Sequence, residues 1–375
     1  MAETVRRAFT RRIFVGAVLA LLALAWATAP PLAAGEERPP VEMQVILLGT
    51  GYPRPDPERA GPATAVVVGE KLFVVDAGRG VVMRLAATEF PLSALRAVFL
   101  THLHSDHIAG LPDLFNTSWI FKRYTPLELY GPEGTRELAA ALLDFFAVDI
   151  PVRRDLTEMH PGAGATINTH IVEEGVVYED EDVRVTAFLV DHRPMGPAFG
   201  YRFDLLAPGE PLAPTAAVPS APAGSVPGSG DEAPASSSAL SAPPLAPGEP
   251  PMSQAEHAQP VIPSGARNLL LRSIVISGDT HPSQNLIKYA KGADLLIHEA
   301  YLPEHFDKVD SPEVAARLKA YHTSAEEVGQ VAHEAGVKLL VLTHVVPGDS
   351  DEIFLERARK HFKGTIVVGR DLMRF

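Results

Sequence analysis

Ten residues that follow one apolar run constrain this chain more than any others: Thr101-His102-Leu103-His104-Ser105-Asp106-His107-Ile108-Ala109-Gly110. The run before them, 97–100, is short and rich in β-formers, as a buried strand is. Four metal-capable side chains therefore fall within six residues at a strand end, spaced His-x-His-x-Asp-His. Side chains two apart on an extended chain point the same way, so His102 and His104 can close on one ion. A turn after Ser105 then sends Asp106 and His107 towards a second position.

Three further candidates stand just after strand-like runs. His192 follows 183–190, Asp279 follows 273–277 and His344 follows 338–342. Ligands carried at several strand ends can converge on one edge of a sheet. The full set, five imidazoles and two carboxylates, suits two divalent ions bridged by one carboxylate with a hydroxide between them. The chain has no cysteine, which excludes thiolate ligands and disulfides. Imidazole and carboxylate donors alone favour zinc (Zn2+), with manganese or iron as alternatives.

The rest of the chain alternates β-rich runs with helix-like stretches. Strands are expected over 45–48, 65–68, 72–75, 97–100, 183–189, 273–276, 295–297, 338–342 and 365–368, and helices over 136–146, 313–320, 324–335 and 353–361. Ser324 and Glu327 have capping-box spacing at the head of the third helix. This pattern reads as one α/β domain in two blocks, 41–206 and 267–375. Between them, 207–266 is Pro, Ala, Ser and Gly, with 14 of the 34 prolines and neither Lys nor Arg. Such a composition cannot bury enough apolar surface to offset ordering entropy, so a disordered insertion is expected.

At the N-terminus, Arg6, Arg7, Arg11 and Arg12 precede an uncharged apolar run over 13–27. The run is short for a membrane span and suits an export signal. Thr10-Arg11-Arg12-Ile13-Phe14-Val15 resembles the twin-arginine motif. Residues 1–34 are therefore expected to direct the protein to the periplasm or beyond the cell by that route, with no stable membrane span after cleavage. Losing four arginines and one glutamate with them takes the formal charge from −13 to −16. A surplus of acid on that scale argues against a nucleic-acid binder that works by general electrostatic attraction and leaves room for a local basic groove.

The sequence resembles the metallo-β-lactamase superfamily, in its ribonuclease Z and arylsulfatase branch. The likeness runs through Leu48-Gly49-Thr50-Gly51, Phe73-Val74-Val75-Asp76-Ala77-Gly78, the His-x-His-x-Asp-His run and Tyr130-Gly131-Pro132-Glu133-Gly134. It continues through His192, Ala198-Phe199-Gly200-Tyr201-Arg202, Ser277-Gly278-Asp279-Thr280, His298-Glu299-Ala300, His322-Thr323-Ser324 and Leu342-Thr343-His344. The resemblance implies an αββα sandwich, two mixed sheets face to face with helices outside. It implies one metal site from His102, His104 and His192, a second from Asp106, His107 and His344, and Asp279 as the bridge. Asp76 and His298 would lie behind the ligands, and Glu299 would steady His322. His322 would touch the scissile oxygens, and Asp106 could also accept a proton from the nucleophile.

The substrate expected from this reading is a small anionic ester, hydrolysed by a metal-bound hydroxide in the manner of exported arylsulfatase-like members. Arg54 and Arg59, in the loop after the first strand, are candidates to bind its sulfate or phosphate. The alternative is a ribonuclease Z-like phosphodiesterase or endoribonuclease. In that family the arm that grips transfer RNA lies between the equivalents of His192 and Asp279, where this chain has its cation-free insertion. An exported enzyme would also not meet precursor transfer RNA, so that partner is not expected. A lactonase or thioesterase and a non-enzymatic metal-binding module are further alternatives, and a homodimer is allowed.

Overall fold

Alternate residues of a strand go to opposite faces, and in this chain both faces are apolar. In the computed structural model, which describes residues 41–207, 210, 221–222, 270–348 and 350–375, that pattern yields four layers. The export signal expected over 1–34 and nearly all of the 207–266 insertion lie outside the described residues.

The strands are β1 (Met43–Gly49), β2 (Ala63–Val68), β3 (Lys71–Val75), β4 (Leu95–Phe99), β5 (Leu127–Gly131), β6 (Ile167–Ile171) and β7 (Gly175–Glu179). They continue as β8 (Val183–Val190), β9 (Ala198–Leu205), β10 (Ala221–Pro222), β11 (Ser273–Ile276), β12 (Leu295–Tyr301), β13 (Leu339–Val346) and β14 (Thr365–Val368). One sheet runs β1-β2-β3-β4-β5-β6-β10 and the other β14-β13-β12-β11-β9-β8-β7. Val45, Leu47, Phe73, Phe99, Tyr201, Phe203, Ile274, Ile297 and Val341 meet between the sheets. Their neighbours point outward: Ile46, Val74 and Val98 pack under helices on the first sheet, and Val275, Leu296 and Leu340 under helices on the second.

The helices over the first sheet are α1 (Val81–Ala86), α2 (Ser105–Ile108), α3 (Leu111–Ile120), α4 (Thr135–Phe145) and α5 (Asp149–Asp155). Those of the second half are α6 (Gln284–Ala290), α7 (Pro303–Phe306), α8 (Pro312–Tyr321), α9 (Ala325–Ala335) and α10 (Asp351–Ala358). The capping box at Ser324 and Glu327 forms as its spacing predicts. The architecture is the expected αββα sandwich.

Five strands escaped the reading of the sequence: β5, β6, β7, β9 and the two-residue β10. β7 is half-buried along its whole length, and β9 carries Arg202 and Asp204 paired to each other, so neither shows a clean apolar run. Within the segment expected to lack structure, Ala221 and Pro222 pair with Thr169 and Asn168 of β6.

Between the sheets, Phe99 stacks on Tyr130 at 4.8 Å and meets Tyr201 at 5.3 Å and Phe203 at 5.7 Å. Such ring pairs add about 0.5–1.5 kcal/mol each beyond the area they bury. The Tyr201 hydroxyl donates to Leu100 O at 2.8 Å, which ties the second sheet to the end of β4 where the histidine run begins.

The C-terminus closes the same edge. Val45 N donates to Phe375 O and Leu47 N to Met373 O, laying the last residues along β1. Asp371 accepts from Thr50 N (3.0 Å), Thr50 Oγ1 (2.8 Å), Ala60 N (2.7 Å) and Arg84 Nε (2.8 Å). Four donors converge on two oxygens, so an amide, with one oxygen and one NH2, cannot serve them. Asp371→Asn should therefore lower unfolding stability by about 2–4 kcal/mol. An unchanged urea midpoint would show that this carboxylate does not anchor the first loop.

Candidate metal centre

Strand ends from both sheets deliver the candidate ligands to one edge of the sandwich. Asp76 follows β3, the His102–His107 run follows β4, His192 follows β8 and Asp279 follows β11. Gly278 sets up Asp279 with φ +62, and a Cβ there would come within 2.9 Å of Thr101 Cβ and Phe199 O. Only glycine meets both demands. His344 arrives differently. β13 runs past it to Val346, and the pairing with β12 skips from Thr343 to Val345. His344 is thus bulged out at φ 45, a distortion that re-aims one side chain without ending the strand.

Hydrogen bonds on the outer side of three rings fix their tautomers. Asp76 Oδ1 accepts from Thr101 N and Oδ2 from Thr101 Oγ1, both at 2.8 Å. The threonine hydroxyl has then spent its proton, so His102 Nδ1, 3.0 Å away, must be the donor to it. His107 Nδ1 donates to Asp76 Oδ2 at 2.8 Å, and His192 Nδ1 to Tyr321 O at 3.0 Å. In each ring Nε2 is left with its lone pair facing inward.

Those lone pairs converge. His104 Nδ1 lies 3.0 Å from His102 Nε2 and 3.1 Å from His192 Nε2. One proton on His104 cannot satisfy both neighbours, whereas a cation among the three can. Ligands about 2.0–2.1 Å from a tetrahedral ion sit roughly 3.3 Å apart, close to this spacing. The second cluster is Asp106, His107 and His344. His344 Nε2 is 3.3 Å from Asp106 Oδ2, and His107 Nε2 is 3.7 Å from it. His107 Nε2 is buried with no hydrogen-bond partner. Asp279 Oδ2 stands between the clusters, 3.4 Å from His107 Nε2, 3.5 Å from His344 Nε2 and 3.9 Å from both His102 and His192 Nε2. The residues fit two cations that share Asp279.

Protonation follows the same geometry. Burial, then the neighbouring His107, holds the His102 imidazole well below its ordinary value, as a ligand nitrogen requires. Burial would push the Asp279 carboxyl up, but His344 and His107 outweigh it and hold Asp279 well down. His322 lies beside the cluster, with Nδ1 3.1 Å from Glu299 Oε1. Burial works against its cationic form, yet Glu299 and Asp279 raise it to about 9. Glu299 Oε1 also accepts from Thr280 N and Thr323 N, so the carboxylate is held from three sides.

Of the other expected site residues, Asp76 lies directly behind His107. His298 is fully buried, donates from Nδ1 to Glu299 O at 2.7 Å, and joins neither ligand cluster. Arg54 is exposed in the first loop and makes no hydrogen bond or ion pair among the described residues. Arg59 does not face a substrate. Its side chain is 1% exposed and is spent on Gly348 O, Thr50 Oγ1 and Gly369 O, which bind the first loop to the C-terminal segment. Two contributors went unread in the sequence, Thr101 and the Tyr321 carbonyl. A threonine next to a histidine carries no signal of its own, and a carbonyl carries none at all.

The sequence profile of the metallo-beta-lactamase superfamily matches residues 56–200. Ribonuclease Z of Mycobacterium sp. (strain KMS) is 34% identical over 342 residues, covering 88% of this chain and 95% of its own. Ribonuclease Z of Mycobacterium bovis (strain BCG / Pasteur 1173P2) is 33% identical, covering 88% of this chain and 97% of its own. Among solved structures, the short form of human tRNase Z aligns with a TM-score of 0.53 at 20% identity, over 88% of this chain and 98% of that one. A metallo-beta-lactamase fold protein from Bacillus subtilis aligns at 0.54 and 18% identity, over 89% and 99%. At these identities the two structures speak for the fold alone.

The relatives correct two expectations. The arylsulfatase-like reading does not stand, because the whole-length relatives are ribonuclease Z. The exclusion of transfer RNA as a partner falls with it. That exclusion rested on a cation-free segment, 207–266, and on the export expected from residues 1–34, and neither describes the folded surface around the centre.

The geometry predicts two divalent ions per chain. His344→Ala should leave one, with His102, His104 and His192 intact, and elemental analysis after dialysis reads the stoichiometry. A single ion bound by the unaltered protein would rule out the paired arrangement.

Proposed function

The chain belongs to the metallo-beta-lactamase superfamily, among ribonuclease Z relatives, and from that membership we propose that it is a ribonuclease Z-like metal-dependent phosphodiesterase that cleaves RNA, with precursor transfer RNA as the substrate class. The observation that carries this reading is the 34% identity to a ribonuclease Z across 88% of the chain and 95% of that relative.

The residues divide the work. His102, His104 and His192 would hold one ion, Asp106, His107 and His344 the other, and Asp279 both. Zinc suits a donor set of imidazole and carboxylate. Two such ions supply an activated water nucleophile at neutral pH and neutralise charge on a phosphoryl group. Asp76, through Thr101 and His107, keeps the ring lone pairs aimed. Asp106 is placed to take the proton of the attacking water. His322 has a ring nitrogen within 4.8 Å of candidate ligand atoms of His192 and Asp279. Its charged form suits the developing charge on a phosphate oxygen or a proton handed to the leaving 3′ oxygen.

His322→Ala should lower turnover of a precursor transfer RNA by roughly 10²–10⁴-fold while metal content stays at the wild-type level. Cleavage of bis(nitrophenyl) phosphate with no cleavage of any RNA would retire the RNA reading and leave a small-molecule phosphodiesterase.

Export by way of residues 1–34, carried by the arginine pairs and apolar run there, is a rival proposal, because an exported enzyme would not meet precursor transfer RNA. A C-terminally tagged full chain should then be recovered shortened in the periplasmic or extracellular fraction. Retention of the full-length chain in the cytoplasm would end that proposal.

A further inference from the structure

Next to His322 lies an apolar cluster separate from those that fill the sandwich. Tyr301, Phe306 and Val346 form it, all buried, and Tyr52 and Leu318 pack against it. Tyr301 ends β12, and the Phe306 ring at the end of α7 stacks on it at 4.9 Å. Phe306 also lies 6.3 Å from the His322 ring, which in turn lies nearly parallel to His344 at 5.8 Å and 18°. Ring contacts thus run unbroken from a candidate ligand, through His322, to this cluster.

Tyr52 reaches the cluster from the first loop, and the loop is held where it does so. Thr50 O accepts from Val345 N, the residue after His344, at 3.4 Å. Tyr52 O and Pro53 O accept from Arg79 Nη2 at 3.5 and 3.1 Å. The His305 ring meets the Tyr52 ring edge-on at 6.5 Å and 84°. The side chain is nevertheless only partly buried, and its hydroxyl makes no hydrogen bond among the described residues. A ring backed by apolar side chains and still open to solvent is a surface on which a planar base stacks. Stacking also supplies affinity without charge, and charge is scarce in this loop: Arg59 faces Asp351 at 3.5 Å and Arg84 faces Asp371 at 2.8 Å.

We propose that Tyr52 is a substrate-binding residue whose ring seats the base of the nucleotide that carries the leaving 3′ oxygen. The inference rests on the RNA reading above. It assigns the base to that side of the bond because His322, which serves the leaving oxygen, is what joins the cluster to the centre. Such a seat takes an unpaired nucleotide, since a base stacked within a duplex has no free face to offer.

The test compares a precursor transfer RNA with the same RNA carrying an abasic ribonucleotide immediately 5′ of the scissile phosphate. On the intact RNA, Tyr52→Leu, which keeps apolar packing against Phe306 but has no ring, should lower kcat/KM by about 5- to 150-fold. Tyr52→Phe should restore most of that loss. On the abasic RNA the wild-type rate should fall to meet that of Tyr52→Leu. No loss, or a loss of equal size on both RNAs, would overturn the seat. So would a Tyr52→Phe loss as large as that of Tyr52→Leu, which would assign the effect to the hydroxyl. A loss that vanishes only when the abasic site lies 3′ of the bond would overturn the side assigned here. An unaltered protein that cleaves no RNA would remove the RNA reading and the seat with it, which tells the two failures apart.

Discussion

The carboxylate of Asp76 takes three hydrogen bonds from two residues, and the order of the site rests on that. Thr101 gives it both a backbone and a side-chain proton, and His107 gives it Nδ1–H. The consequence passes outward through the threonine hydroxyl, which can then only accept from His102. One buried acid thus decides the tautomers of two candidate ligands. It does so from φ 59, a left-handed conformation that aspartate tolerates better than most residues, at the point where β3 turns away from its sheet. Asp76 lies 25 and 31 residues from its partners, so only the parallel pairing of β3 with β4 brings them together.

The same dependence on sheet pairing explains what could be read in advance. Continuous apolar runs in β1, β3, β4 and β13 marked buried strands of an α/β domain, while the sandwich itself was what the resemblance implied. The histidines at strand ends announced themselves because two metal-capable side chains one residue apart are rare in a surface loop. His344 was found for a partly different reason than the one that applies. It reads as the residue after a strand, but it is a bulge within one, and a bulge is set by the partner strand rather than by local sequence.

Arg59 and Asp371 show where reading fails. An arginine in a glycine- and proline-rich loop near a metal site looks like an anion receptor. In the fold it is a brace, because its partners, Gly348 and Gly369, are about 290 and 310 residues away. Asp371 is invisible for the same reason, being 321 residues from Thr50. Local patterns carry element type and face, while contacts that span the chain carry the role of an isolated charge.

Net charge says little about the centre, for a reason of scale. Charges at a protein surface are screened over about 8–10 Å at ordinary ionic strength, so an overall charge of −13 governs distant encounter more than contact. A phosphate at the centre would meet only what lies within that distance. There, the carboxylates of Asp106, Asp279 and Glu299 are set among five imidazoles with His322 beside them. Two divalent cations held by this set would outweigh the three carboxylates and leave a local excess of positive charge. An acidic chain is therefore no obstacle to hydrolysing a phosphodiester. What it does require is that substrate affinity come from the centre and its rim, since the cation-free segment between Ala207 and Ala266 has no lysine or arginine to contribute.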